Sequence, residues 1–98
     1  MMNMFAVRIE LNGPPPGEAY NDLHDLMGGA GFDRKIRGDS GHIYKLPKGL
    51  YCGLMPTDSS EAVRNYLMPI VAAVEPDYEL AVFRFSNAAW AVPNSDDL

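Results

Sequence analysis

The run FAVRIEL at residues 5–11 ends in Asn12-Gly13 and three consecutive prolines, 14–16, and this junction restricts the fold more than any other stretch. Phe5, Val7, Ile9 and Leu11 alternate with Ala6, Arg8 and Glu10, which is the period of a strand with one buried and one mixed face. Proline donates no hydrogen bond to a ladder and stiffens the exit, so the strand must stop there. Glu10 is thereby set at a strand end, on the same face as Arg8.

From Gly17 the spacing becomes helical. Ala19, Tyr20, Leu23, Leu26 and Met27 form one apolar stripe, and Gly28, Gly29 and Gly31 end it. Residues 32–37 read as a polar edge strand, 38–41 as a loop and 42–46 as its resumption. Pro47-Lys48-Gly49 then turns the chain into a strand at 50–55, giving a β-hairpin. Asp58 and Glu61 suggest a capping box before a helix striped by Ala62, Val63, Tyr66, Leu67, Ile70, Val71 and Val74, which Pro69 should kink or divide. A final strand at 78–85 carries apolar residues on both faces, as if covered on both sides. The order predicts an α+β ferredoxin-like βαββαβ sandwich: four antiparallel strands with both helices on one face, in a single domain over 1–98 whose residues 93–98 form an acidic tail. Residues 88–92, with Trp90, are too apolar for tail and predict a short extra C-terminal strand needing cover.

Ninety-eight residues bury only a thin core, which favours a homodimer that covers one face. The single cysteine, Cys52, has no disulfide partner or metal-ligand spacing and reads as a small apolar strand residue in a reducing compartment. With no signal-like N-terminus and no apolar run long enough to cross a bilayer, the expectation is a cytoplasmic protein with no membrane partner.

The net charge of −5 argues against indiscriminate coating of nucleic acid, but the charge is unevenly spread. Between Asp33 and Lys48, Arg34, Lys35, Arg37, Lys45 and Lys48 stand against Asp33 and Asp39, a local +3 that leaves −8 for the remainder. With Tyr44 and Tyr51 nearby, this segment has cations for phosphates and aromatic faces for bases; the competing explanation is an edge strand protected by charge. His42 lies inside the cluster, where it can contact a phosphate or move a proton. His24, beside Asp25, reads as a half-exposed helix residue. GDSGH at 38–42 looks like a serine-protease nucleophile motif, but the chain has no room for the two barrels that chemistry needs, and a glycine-bounded turn explains it.

VRIELNGPPPGEAYNDL, the glycine-ended first helix, TDSSEAVRNYLMPIV and LAVFRFSNAAWAV together resemble a family of small proteins. These are built like the CRISPR-associated integrase partner and endoribonuclease-like subunit, and like the related antitoxin nucleases of type V toxin–antitoxin systems. The likeness runs from Phe5 to about Val92 and is one of pattern and order. It implies a ferredoxin-like protomer, a symmetric dimer, and a C-terminal strand carrying Trp90 and Val92 into the dimer interface. Nucleolytic members carry an aspartate at the end of the first strand, one per subunit, around a divalent metal. Glu10 occupies that position here, one methylene longer. The resemblance thus implies Mg²⁺-dependent RNA hydrolysis in a defence or toxin–antitoxin role. Glu10 from two subunits would hold the metal, with His42, Arg34, Lys35, Arg37, Lys45, Lys48 and Tyr44 around the strand. The alternative is a non-catalytic dimer that binds a protein partner through its open sheet face and C-terminal segment.

Overall fold

The computed structural model describes residues 1–12 and 17–92. Its centre is β1 (Asn3–Leu11), which is paired antiparallel on both edges: with β5 (Leu50–Met55) on one side and β6 (Tyr78–Phe85) on the other. β2 (Phe32–Asp33) adds to the far edge of β5, so the sheet order is β2-β5-β1-β6. The alternation read from residues 5–11 is realised directly. Phe5, Val7, Ile9 and Leu11 are buried, while Arg8 and Glu10 are exposed on the opposite face.

Two helices cover the buried face. α1 (Gly17–Gly29) contributes Leu23 and Met27, and α2 (Ser60–Ala72) contributes Val63, Leu67 and Val71 at four-residue intervals. These residues join Phe32, Tyr51 and the four apolar residues of β1 in one core cluster, so both helices lie on the same side of the sheet. Burying each such side chain stabilises the fold by roughly 1.5–3 kcal/mol. The expected α+β class, two helices over a four-stranded antiparallel sheet, is therefore present.

Several details differ from the sequence reading. Residues 32–46 do not form one long partner for β5. After two residues the chain leaves the main sheet and folds on itself, with β3 (Lys35–Arg37) pairing β4 (Ile43–Lys45) in a separate two-stranded sheet. The Gly38–Gly41 turn causes this: the Gly38 N–H donates to the His42 carbonyl (2.9 Å), the Gly41 N–H to Gly38 (3.0 Å), and the Leu46 N–H closes the ladder on Arg34 (2.7 Å). Local closure costs less chain entropy than a longer-range pairing.

α2 begins one residue later than the Asp58 signal suggests, because Ser59 is the N-cap and its Oγ accepts from the Ala62 N–H at 3.0 Å. It runs unbroken through Pro69, whose position in the last turns, on the exposed side, limits the loss to a solvent-facing hydrogen bond. β6 is not covered on both sides by the described residues: Phe83 is 59% exposed. Residues 88–92 form no strand, and the acidic residues 93–98 lie outside the described residues. Among the described residues no helix is long and apolar enough to cross a membrane.

Gly53 is where β2 crosses closest to β5. A Cβ there would collide with the Gly31 carbonyl oxygen and stand 2.9 Å from the Phe32 ring. Gly53→Ala should therefore destabilise the protein by about 2 kcal/mol through overpacking against backbone. Urea unfolding checks this, and the midpoint should drop with an unchanged slope.

Candidate functional site

The β3–β4 hairpin presents two unlike faces. Lys35 stands directly opposite Lys45, and Arg37 opposite Ile43, while Ile36 pairs with Tyr44 between them and Tyr44 meets the other side. On that other side Trp90 packs against Tyr44, with ring centroids 5.6 Å apart. Gly38 lets both rings approach the backbone: a Cβ would lie 3.1 Å from the Tyr44 ring and 3.5 Å from that of Trp90. The C-terminal segment thus braces the hairpin from behind. Trp90, read as needing cover, obtains part of it from its own chain.

The cationic side faces α1. Lys35, Arg37, Lys45 and Arg34 line a groove of about 510 Å³ together with His24, and Asp25 and Asp33 are the carboxylates within it. Two lysines directly opposite one another repel and cost stability. The ion pairs among the described residues are Arg8–Glu10 and Arg64–Glu61, so neither lysine is neutralised that way. An arrangement that keeps four cations on one wall against two carboxylates is suited to an anion.

A second cavity, of about 470 Å³, opens on the other side of His24 between α1, the end of β1 and the loop 46–49. Arg34 and Lys45 belong to both cavities; Arg8, Glu10 and Lys48 line only this one. The cations predicted from sequence are therefore brought together in two connected groups, with Lys35 and Arg37 in the first and Lys48 in the second. His42, at the exposed hairpin tip, does not line the cavity that holds Glu10. Glu10 instead pairs with Arg8 at 3.8 Å and stands across from Glu79 in the β1–β6 register. The neighbouring guanidinium supplies the counter-charge that a cation would. Among the described residues no three His, Cys, Asp or Glu side chains come together as metal ligands.

His24 is the site residue that sequence reasoning missed, and Tyr51, expected to offer an aromatic face to bases, is buried and offers none. His24 Nδ1 lies 2.7 Å from the Tyr51 hydroxyl, and Tyr51 is fully buried beneath it. Burial pushes the Tyr51 phenol up to about 12, so it keeps its proton. Burial, then the Arg34 charge, lowers the His24 pKa, which favours the neutral ring. The contact with the Tyr51 hydroxyl fixes Nδ1 and leaves Nε2 as the ring's other polar atom. Tyr20 completes an aromatic row, its ring 6.4 Å from His24 and its hydroxyl accepting the Leu11 N–H at 3.2 Å. The available signal was the i, i+4 spacing of Tyr20 and His24 on one helix; the Tyr51 contact joins α1 to β5 and has no local signature. Cys52 is buried, with its thiol pushed up by burial and then by Asp33, and its Sγ–H reaches the Lys35 carbonyl at 3.5 Å, a structural rather than reactive setting.

Comparison with protein-family models, curated proteins and solved structures returns no match for this chain.

Because the folded-state pKa of His24 lies below its ordinary 6.5, the unfolded chain binds its proton first as pH falls. Stability contributed by neutral His24 is complete above pH 6.5 and declines as pH drops through and below that value. An NMR titration should place the His24 midpoint under 6.5, and His24→Asn should flatten that part of the stability profile. A midpoint above 6.5 would contradict the site's electrostatics.

Proposed function

We propose that this protein is a ferredoxin-like nucleic-acid-binding protein whose cationic hairpin holds the phosphate backbone of single-stranded RNA. The observation that carries the reading is the opposed Lys35–Lys45 pair, flanked by Arg34 and Arg37 and lacking ion-pair partners among the described residues. Like charges held face to face cost stability, and a phosphodiester chain offsets that cost by accepting charge-assisted hydrogen bonds from both. The sheet order and the two helices on one face support the ferredoxin-like assignment. The family resemblance supports RNA as the polyanion.

Dimerisation belongs to the same reading. On the helix-free face the register aligns Leu54, Met4 and Phe85, with Ala6 and Phe83 in the next row. Leu54 is 50% and Phe83 59% exposed, an apolar surface that a second copy covers. The protein-partner alternative uses this same face.

The RNA reading is tested by anisotropy titrations at several salt concentrations. Four phosphate contacts to a single strand give a slope of log affinity against log salt of about −3. Reversing Lys35, Arg37 and Lys45 to glutamate should remove most of the affinity and flatten the slope by about 2. Unchanged affinity in the reversed variant reduces the hairpin to a protected edge.

A hydrolytic reading is favoured by one observation, the alignment of Glu10 with Glu79 on the open face, and it requires carboxylates from two chains. It predicts RNA cleavage dependent on Mg²⁺ or Mn²⁺ that is lost in Glu10→Ala while sedimentation still reports a dimer. Equal cleavage by both proteins removes Glu10 from the chemistry, and no cleavage by either leaves the binding role alone.

A further inference from the structure

The cavity between α1, the end of β1 and the loop 46–49 differs from the hairpin groove in its shape and in its lining. Its volume of about 470 Å³ lies within the range of small-ligand sites. Four cations, Arg8, Arg34, Lys45 and Lys48, meet there with the single carboxylate of Glu10. The rings of Tyr20 and His24 form part of the wall, beside apolar Ile9, Leu46 and Pro47. Cations alone select any anion, but cations beside two aromatic rings match a phosphate attached to a flat base.

The walls are held in place before any ligand arrives. β5 reaches only to Arg8 in its pairing with β1, which leaves the next part of that strand edge open. The opening is filled locally: the Ile9 N–H donates to the Gly49 carbonyl at 2.8 Å, and the Leu11 N–H to Tyr20. Arg8 Nη1 donates to the Ile9 carbonyl at 2.7 Å, and its other nitrogen faces Glu10, so the guanidinium is fixed from two sides. Gly49 makes this possible. Its φ is +78°, and a Cβ would strike the Arg8 guanidinium and stand 2.7 Å from the Ile9 carbonyl oxygen. His24 is held by the contact between its Nδ1 and the Tyr51 hydroxyl, at 2.7 Å. Such fixed donors lower the ordering cost of binding.

From this we infer that the cavity binds a nucleotide bearing a phosphomonoester, with Lys48, Arg34 and Lys45 on the phosphate and Tyr20 and His24 against the base. The phosphomonoester has two sources, a free mononucleotide or the phosphorylated end of an RNA whose backbone continues into the hairpin groove. The inference rests on the RNA reading for the second source only. Arg34 and Lys45, which line both cavities, join the two.

The test uses the full-length protein and calorimetric or anisotropy titration with four probes. These are a nucleoside 5′-monophosphate, the matching nucleoside, and one single-stranded RNA carrying either phosphate or hydroxyl ends. The phosphorylated member of each pair should bind about tenfold more tightly or better, the effect of one charge-assisted contact. Asn21→Trp, at an exposed α1 position on the rim, should abolish that preference while leaving the affinity for hydroxyl-ended RNA unchanged. Lys48→Gln should weaken the preference in the same direction without altering any residue of the groove. Equal binding of both members of both pairs, or a preference that survives both substitutions, overturns the inference even if RNA binding itself persists. Tight binding of the monophosphate with no binding of either RNA upholds the cavity and removes the RNA reading.

Discussion

The structure depends on β1 being paired on both edges while its odd-numbered residues face inward. Phe5, Val7, Ile9 and Leu11 supply the floor on which both helices rest, and no other strand touches two neighbours over most of its length. A shift of one residue would put Arg8 and Glu10 into the core and Ile9 on the outside. That penalty fixes the register, and the register in turn sets what stands on the outer face. It carries an apolar end with Met4, Leu54 and Phe85 and a charged end with Arg8, Glu10 and Glu79.

The charge distribution follows from a second constraint, the early departure of the chain from the main sheet. By folding residues 35–45 into their own hairpin, the protein moves Lys35, Arg37 and Lys45 away from an edge strand and turns them toward α1. Trp90 and Tyr44 hold the back of this hairpin, so its orientation does not depend on the repelling lysines themselves. The hairpin then forms one side of a groove whose other side includes His24, and the Tyr51 hydroxyl below holds that ring in place. Buried apolar contacts, an aromatic brace and one part-buried hydrogen bond thus act together to keep cations in a conformation they would not favour alone.

Much of this was legible from residue order because the signals were local. Alternation located β1, helical stripes located α1 and α2, and the charge count singled out residues 33–48. What escaped detection was non-local. The split between β2 and β3 depends on which of two ladders Lys35 joins, and short polar strands carry little pattern to decide it. Pro69 was expected to kink or divide α2, and α2 stays undivided because packing of Val63, Leu67 and Val71 outweighs one missing hydrogen bond. His24 was set aside because nothing in its neighbourhood along the chain requires it; its partner is twenty-seven residues away. Glu10 was located correctly at the strand end, yet its registered neighbour Glu79 could be identified only once β6 was aligned with β1.

The central claim, that the cationic side of the hairpin contacts RNA phosphates, is most directly tested by mapping backbone amide shifts during titration with a short single-stranded RNA. The account predicts that the largest shifts fall on Arg34, Lys35, Arg37, Ile43 and Lys45, with His24 ring signals moving alongside. Shifts concentrated on Leu54, Phe83 and Phe85, or none at saturating RNA, would contradict it.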